Sequence, residues 1–297
     1  MKEIQYVDIL KKSFLLSWKN KFLWSFGFLI FLSLTAESVN FSKDNLSKST
    51  FLAALFKQNE KYFSLVVCLI IVLIVALYVL RILSSAALIC AINNPALYKK
   101  INPLVTARRM NVYFWRLAGI DLLLGFSGLV IAVLLVTPVA ILFSMKAMIL
   151  GSMLLVCAVL IIIPLVILIF FLKKFGFIFI VLSESRLKVS MEFSYKIFLK
   201  NIKESIFMGL VMVCLTSIFM LTLILISLTL LFTGLFITIA ASAIGVLILI
   251  LAVSIFIVFT QSVWLSFFSQ ISMQKNIENE TEEALVDGRD VLSPDIA

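Results

Sequence analysis

The sequence contains no histidine. That removes the commonest general base and the commonest metal ligand, and with them Ser-His-Asp, Cys-His and HExxH chemistry. Cysteine is sparse. Cys68, Cys90, Cys157 and Cys214 stand apart in apolar runs with no CxxC spacing, so each reads as a small hydrophobe rather than half of a disulfide. Charge is sparse as well: Asp, Glu, Lys and Arg make up 14% of the chain, against about 25% in an ordinary soluble domain. There is no P-loop, no GxGxxG and no cluster with metal-ligand spacing. The start, MKEIQYVDILKKSFLLSWKNK, lacks the early apolar core of a cleavable signal peptide, and neither end carries a lipidation motif. Insertion into a membrane is therefore expected to rely on the hydrophobic segments themselves.

Those segments dominate the chain. Hydrophobic residues make up 63% of the 297 residues, and the mean hydropathy is +1.17. The excess over a soluble protein is blocked into long uncharged runs, which is the signature of membrane-spanning helices. Six runs are long enough: residues 22–40, 62–92, 117–143, 147–172, 206–232 and 236–268. The fold class expected is all-α, a polytopic transmembrane bundle of six spans. Glu37 is expected to mark the outer end of the first. Ser144-Met145-Lys146 and Thr233-Gly234-Leu235 are short enough to be tight helical hairpins.

The formal charge of +9 conceals a split, because residues 275–297 hold seven acids and two bases while the rest is strongly basic. Lys and Arg fall in the N-terminal segment, in the loops after the second and fourth runs, and in the tail, 19 of them on one face of the six-span arrangement. The opposite face has five: Lys43, Lys48, Lys57, Lys61 and Lys146. Cytoplasmic loops carry the Lys/Arg excess, so both termini and the two basic loops are expected inside the cytoplasmic membrane of a prokaryote.

Three basic segments also carry amphipathic patterns suited to an interfacial helix. In 183–205, Leu187, Met191, Phe198 and Ile202 recur at helical spacing, with Lys196, Lys200 and Lys203 on another face. At the N-terminus, Ile4, Val7, Phe14 and Trp18 form a stripe near Lys11 and Lys12. Residues 95–116 combine Tyr98, Tyr113 and Trp115 with Arg108 and Arg109. Each segment leads into a helical hairpin, and Lys19-Asn20 matches Lys200-Asn201, which suggests a loose internal repeat. The organisation expected is a cytoplasmic amphipathic segment at 1–21, a six-span domain at 22–268, and an acidic, disordered tail at 269–297. Lys11, Lys12, Arg108, Arg109, Lys196, Lys200 and Lys203 are the candidate contacts for anionic lipid.

Charges at membrane depth are functional candidates in their own right. Arg81 either ends the second span and reaches the headgroups, or lies deeper if the helix continues to Ile92. Asp121 sits near the cytoplasmic end of the third span, and an Arg81–Asp121 ion pair is the sharpest pairing expected. Pro138 and Pro164 interrupt the third and fourth spans and can kink them. Ala241 with Gly245, and Gly125 with Gly128, supply small surfaces for helix packing.

Ala86-Ala87-Leu88-Ile89, Phe114-Trp115-Arg116-Leu117 and Phe175-Gly176-Phe177 through Val181-Leu182-Ser183-Glu184, followed by an amphipathic helix and Asn201, resemble a family of prokaryotic polytopic membrane proteins. That family is similar to the membrane domain attached to some glycerophosphodiester phosphodiesterases. The resemblance covers most of residues 1–270 and implies the architecture alone. The soluble phosphodiesterase domain, with its metal-binding carboxylates and histidines, is missing from this sequence.

Two functional readings remain. The first is a non-enzymatic integral membrane protein that organises lipids or a partner through its basic helices. It needs no cofactor, and its partners would be anionic lipids of the inner leaflet, a second copy or another protein, not nucleic acid. The second is a transporter or channel for a small or lipid-like solute, with Pro138, Pro164, Arg81 and Asp121 lining its path. An intramembrane enzyme lacks a convergent nucleophile and base.

Overall fold

A computed structural model of the protein describes residues 5–37, 60–94, 111–234 and 239–290. Among these residues there are eight α-helices and no strand. In chain order they are α1 (Tyr6–Lys19), α2 (Leu23–Glu37), α3 (Glu60–Asn93), α4 (Asn111–Ser144), α5 (Met148–Ser183), α6 (Leu187–Lys200), α7 (Ile202–Gly234) and α8 (Ile239–Asp290). Valine and isoleucine would favour strands in water. In hydrocarbon every backbone N–H and C=O needs a partner within its own segment, which selects helix. Pro138 and Pro164 sit inside α4 and α5 without ending them.

Five of the helices hold segments long and apolar enough to cross a membrane: Cys68–Asn93, Val112–Ser144, Met148–Ser183, Ile202–Thr229 and Ile244–Ser272. The first of the six expected spans overlaps α2, an apolar helix of 15 residues that ends where the described residues end. The hairpin expected at 144–146 is present. Lys146 adopts a left-handed backbone (φ 58°). The Lys146 and Ala147 N–H groups donate to the carbonyls of Phe143 and Leu142, each at 3.1 Å, and so close the last turn of α4. The second expected hairpin reaches into residues 235–238, outside the described residues.

The chain divides into two compact units. The first comprises Met1–Ser13, Arg116–Ile218 and Ser262–Ala297. Its core is aromatic. Phe171 stacks on Phe198 at 5.0 Å between ring centres and meets Trp264 edge-on at 5.7 Å, while Phe175 contacts Phe268 at 5.7 Å. Helix α6 lies against α5. There the Ser190 hydroxyl donates to the Gly176 carbonyl at 3.0 Å, and a Cβ on Gly176 would stand only 2.9 Å from Ile120.

The second unit comprises Phe14–Trp115 and Phe219–Gln261. Helix α2 packs along α3. Leu23, Phe26 and Ile30 are buried, as are Ile82, Ala86, Ala87 and Ala91. Gly27 lies directly on the Ser254 carbonyl, where any side chain would collide with backbone. Buried serines recur through both units, among them Ser13, Ser17, Ser190, Ser194 and Ser254. Small residues let helices approach closely where hydrophobic burial cannot drive association.

Burial is uneven along each helix. In α3 the buried residues cluster within 82–92, in α5 within 171–181, and in α8 within 254–271. The remaining length is apolar and mostly exposed, as at Leu73, Leu134, Leu160, Leu221 and Leu247.

Two sequence expectations change here. Lys173 and Lys174, expected in a loop, lie within α5, which runs on to Ser183. The tail from residue 269, expected to be unstructured, continues α8 as helix to Asp290. Its Glu, Gln, Lys and Ala residues are good helix formers, so a polar composition does not by itself end a helix.

Candidate functional site

Three charged residues sit where the exposed apolar part of a helix meets its buried part. They are Arg81 in α3, Asp121 in α4 and Lys173 in α5. In the first unit Asp121 forms an ion pair with Lys173. The carboxylate is 14% exposed and the ammonium 37%. Lys173 falls just beyond the span expected at 147–172, so its sequence position alone does not suggest it as a partner for Asp121. Arg81 belongs to the second unit and is half-buried, and its carbonyl accepts the Ser85 hydroxyl at 2.8 Å.

Arg116 has a role that charge counting alone did not supply. Its guanidinium donates to the carbonyls of Glu184 at 2.6 Å and Ser185 at 3.3 Å. Glu184 is the left-handed residue (φ 52°) that ends α5. A cation at a helix C-terminus satisfies free carbonyls and complements the helix dipole. Arg116 thereby holds the joint between α5 and α6. In the sequence Arg116 stands out only within the Phe114-Trp115-Arg116-Leu117 run that carries the family resemblance, not for this contact.

The basic helices are amphipathic, and the faces they bury are lines that the expected apolar stripes mark only in part. In α1 the buried line is Ile9, Ser13 and Ser17. The expected stripe of Val7, Phe14 and Trp18 is exposed, on the same side as Lys11. In α6 the buried line is Ser190, Ser194, Ile197 and Phe198. Of the stripe expected there, Leu187 and Met191 are half-buried and Ile202 is exposed. Val189, Tyr195 and Leu199 are exposed among Lys188, Lys196 and Lys200. Lys11, Lys12, Lys196, Lys200 and Lys203 all reach the surface. Ile4, Arg108 and Arg109 lie outside the described residues.

Two groups on these helices titrate away from their ordinary values. Burial, and then the neighbouring Glu204 carboxylate, raise the Tyr6 phenol. Its ring meets Phe207 edge-on at 4.8 Å. The hydrogen bond from Lys196, at 2.7 Å, and then the charge of that ammonium, lower the Glu192 carboxyl.

No family model, curated protein or solved structure matches this chain.

Among the described residues no group of three or more His, Cys, Asp or Glu is placed to hold a metal ion. A shallow apolar groove is lined by Val133, Val136, Thr137, Ala140 and their neighbours, all from α4. A groove built by one helix is an outer surface, and it takes no side chain from Arg81, Asp121 or Pro164. What the arrangement offers chemically is a set of surface ammonium groups interleaved with exposed aromatic and aliphatic side chains.

Proposed function

We propose that this is a non-enzymatic integral membrane protein that binds and organises anionic lipid at the cytoplasmic face of a prokaryotic inner membrane. In this reading the chain crosses the bilayer six times, with α2 and the residues after it forming the first crossing, and both termini stay inside. The observation that carries the proposal is the exposure of Lys11 and Lys12 on α1, and of Lys196 and Lys200 on α6, beside exposed Phe14, Trp18, Tyr195 and Leu199. Helices that interleave lysine with exposed aromatic and aliphatic side chains bind interfaces through apolar burial plus attraction to anionic headgroups. Arg108 and Arg109 extend the basic surface in sequence. Arg81 is proposed as a second cation for Asp121, and coupling near zero in a double-mutant cycle of that pair would remove it.

The experiment is reconstitution into nanodiscs of mixed phosphatidylcholine and phosphatidylglycerol, with native mass spectrometry of the retained lipids. Phosphatidylglycerol should be enriched over its bulk fraction. The enrichment should fall with salt and with the combined Lys→Gln changes at positions 11, 12, 196, 200 and 203. Retention in bulk proportion, insensitive to both, would overturn the proposal. A second copy or another protein as partner would show in the same spectra as added protein mass.

A further inference from the structure

Residues 13–20 and 194–201 read Ser-Phe-Leu-Leu-Ser-Trp-Lys-Asn and Ser-Tyr-Lys-Ile-Phe-Leu-Lys-Asn. Aligned this way, the two helices agree in burial at every position but two, Lys12 with Phe193 and Leu16 with Ile197. Ile9 and Ser190, Ser13 and Ser194, and Ser17 and Phe198 are buried. Phe14 and Tyr195 are 55% and 45% exposed, and Trp18 and Leu199 are 58% and 48% exposed. Lys19 and Lys200 follow, both at the surface. The ends agree too. The Asn20 amide donates to the Leu16 carbonyl and the Asn201 amide to the Ile197 carbonyl, each at 3.1 Å. A second apolar helix then starts within a few residues, α2 in one case and α7 in the other.

The depth of α6 follows from its contacts within the first unit. Ser190 is bonded to Gly176, which lies three residues beyond Lys173 along α5, an axial step of about 4.5 Å. Leu187 abuts Gly119, two residues before Asp121. Helix α6 is thus tied within about a turn of the Asp121–Lys173 pair. The apolar, mostly exposed stretch 148–170 of α5 spans about 34 Å, enough to cross a hydrocarbon layer of about 30 Å and bring that pair to its edge. The headgroup layer beyond is roughly 5–7 Å deep on each side, which is where α6 falls.

We infer that α1 and α6 are two copies of one interfacial anchor, in which Phe14 with Trp18, and Tyr195 with Leu199, insert as wedges between the lipids of the inner leaflet while Lys19 and Lys200 stay among the headgroups. The inference deepens the proposed lipid-binding function and rests on it. The occupant of the exposed face is the bilayer surface, because aromatic and aliphatic side chains alternate with lysine there and each helix is joined directly to an apolar one.

The test uses the full-length protein in vesicles of phosphatidylcholine alone, where the lysines meet no anionic lipid. With Cys68, Cys90, Cys157 and Cys214 changed to Ala, single changes Phe14→Cys, Trp18→Cys, Tyr195→Cys and Leu199→Cys each carry a nitroxide. Relaxation by oxygen should exceed relaxation by a nickel chelate at all four positions, and the order should reverse at Lys200→Cys, about 100° around the helix from Leu199 and placed among the headgroups. Nickel-dominated relaxation at the four overturns the wedges. Lipid-like behaviour in one helix only overturns their equivalence. The unmodified protein supplies a second reading: a phosphatidylcholine with a photoreactive group near its glycerol should form adducts on both 7–18 and 189–199, and adducts confined to the spans would contradict the inference. Failure of the anionic-lipid reading would appear as lost phosphatidylglycerol enrichment with this result intact, so the two failures are distinguishable.

Discussion

Residues 171–181 and 148–170 belong to one uninterrupted helix, α5, yet they meet different surroundings. The later stretch contributes Phe171, Phe175, Ile178 and Ile180 to an aromatic core, while the earlier one leaves Ile149, Leu160 and Val166 exposed. Helix α4 is divided in the opposite sense along the chain, with Leu117 and Ile120 buried and Leu134 and Ile141 exposed. That fits a helix running the other way across the same boundary. Apart from Lys173 and Lys174 the packed end is as rich in large apolar side chains as the bare end, so apolarity alone does not decide which side chains are core. What separates them is the company of Ser, Gly and aromatic residues at the packed end and of Leu, Ile and Val at the bare end. Lipid tails are as apolar as leucine, so bare ends lose nothing by facing them, whereas close helix contact needs small residues.

The largest effect should come from deleting a core ring at the packed end. Trp264→Ala removes a side chain that is 1% exposed and in contact with Phe170, Phe171 and Phe175. It should cost about 3–5 kcal/mol. Leu160→Ala, on the bare end, should stay within about 0.5 kcal/mol. Thermal unfolding followed by size-exclusion chromatography would check both, and equal losses would erase the distinction between the ends. Next in size is a pair of glycines. Gly27→Ala places a methyl group on the Ser254 carbonyl and should cost at least about 1–3 kcal/mol. Gly125→Ala meets nothing within 4 Å and should be neutral or stabilising by up to about 1 kcal/mol, the helix propensity gained.

A smaller effect is expected at the boundary between the ends. A double-mutant cycle of Asp121→Asn and Lys173→Gln should give a coupling of about 1 kcal/mol, at the upper limit for partly exposed pairs. The smallest is a pH effect at Tyr6. The folded phenol titrates above its ordinary value of 10.0, so its contribution is fully present below that pH and is lost as pH rises through the raised value. Absorbance titration should show one late-ionising tyrosine that disappears in Tyr6→Phe.

Much of this was legible from the sequence. The long apolar runs, the Ser144–Lys146 hairpin and the basic amphipathic segments follow from hydropathy and from charges that cannot enter hydrocarbon. The helix faces did not follow. The stripe of Val7, Phe14 and Trp18 reads as the apolar face of an interfacial helix and is exposed, but the buried line through Ser13 and Ser17 has no hydrophobic pattern to mark it. In a bilayer the aromatic side chains can face lipid and the serines can face other helices. The extent of α5 was missed for a related reason. Lys173 and Lys174 read as the end of a span, although a helix can continue past the membrane edge once its next turns find a protein core. The roles of Lys173 and Arg116 depend on those tertiary contacts, and neither leaves a spacing in the sequence that would announce it.

The central claim is that the packed, charged ends of the helices lie at the cytoplasmic face and the bare ends cross the bilayer. Mass mapping of lysines acylated by a membrane-impermeant reagent on intact cells tests it most directly. The account predicts modification of Lys146, in the α4–α5 hairpin, with Lys188 and Lys200 untouched until the membrane is opened. Modification of Lys188 or Lys200 from outside intact cells would contradict it.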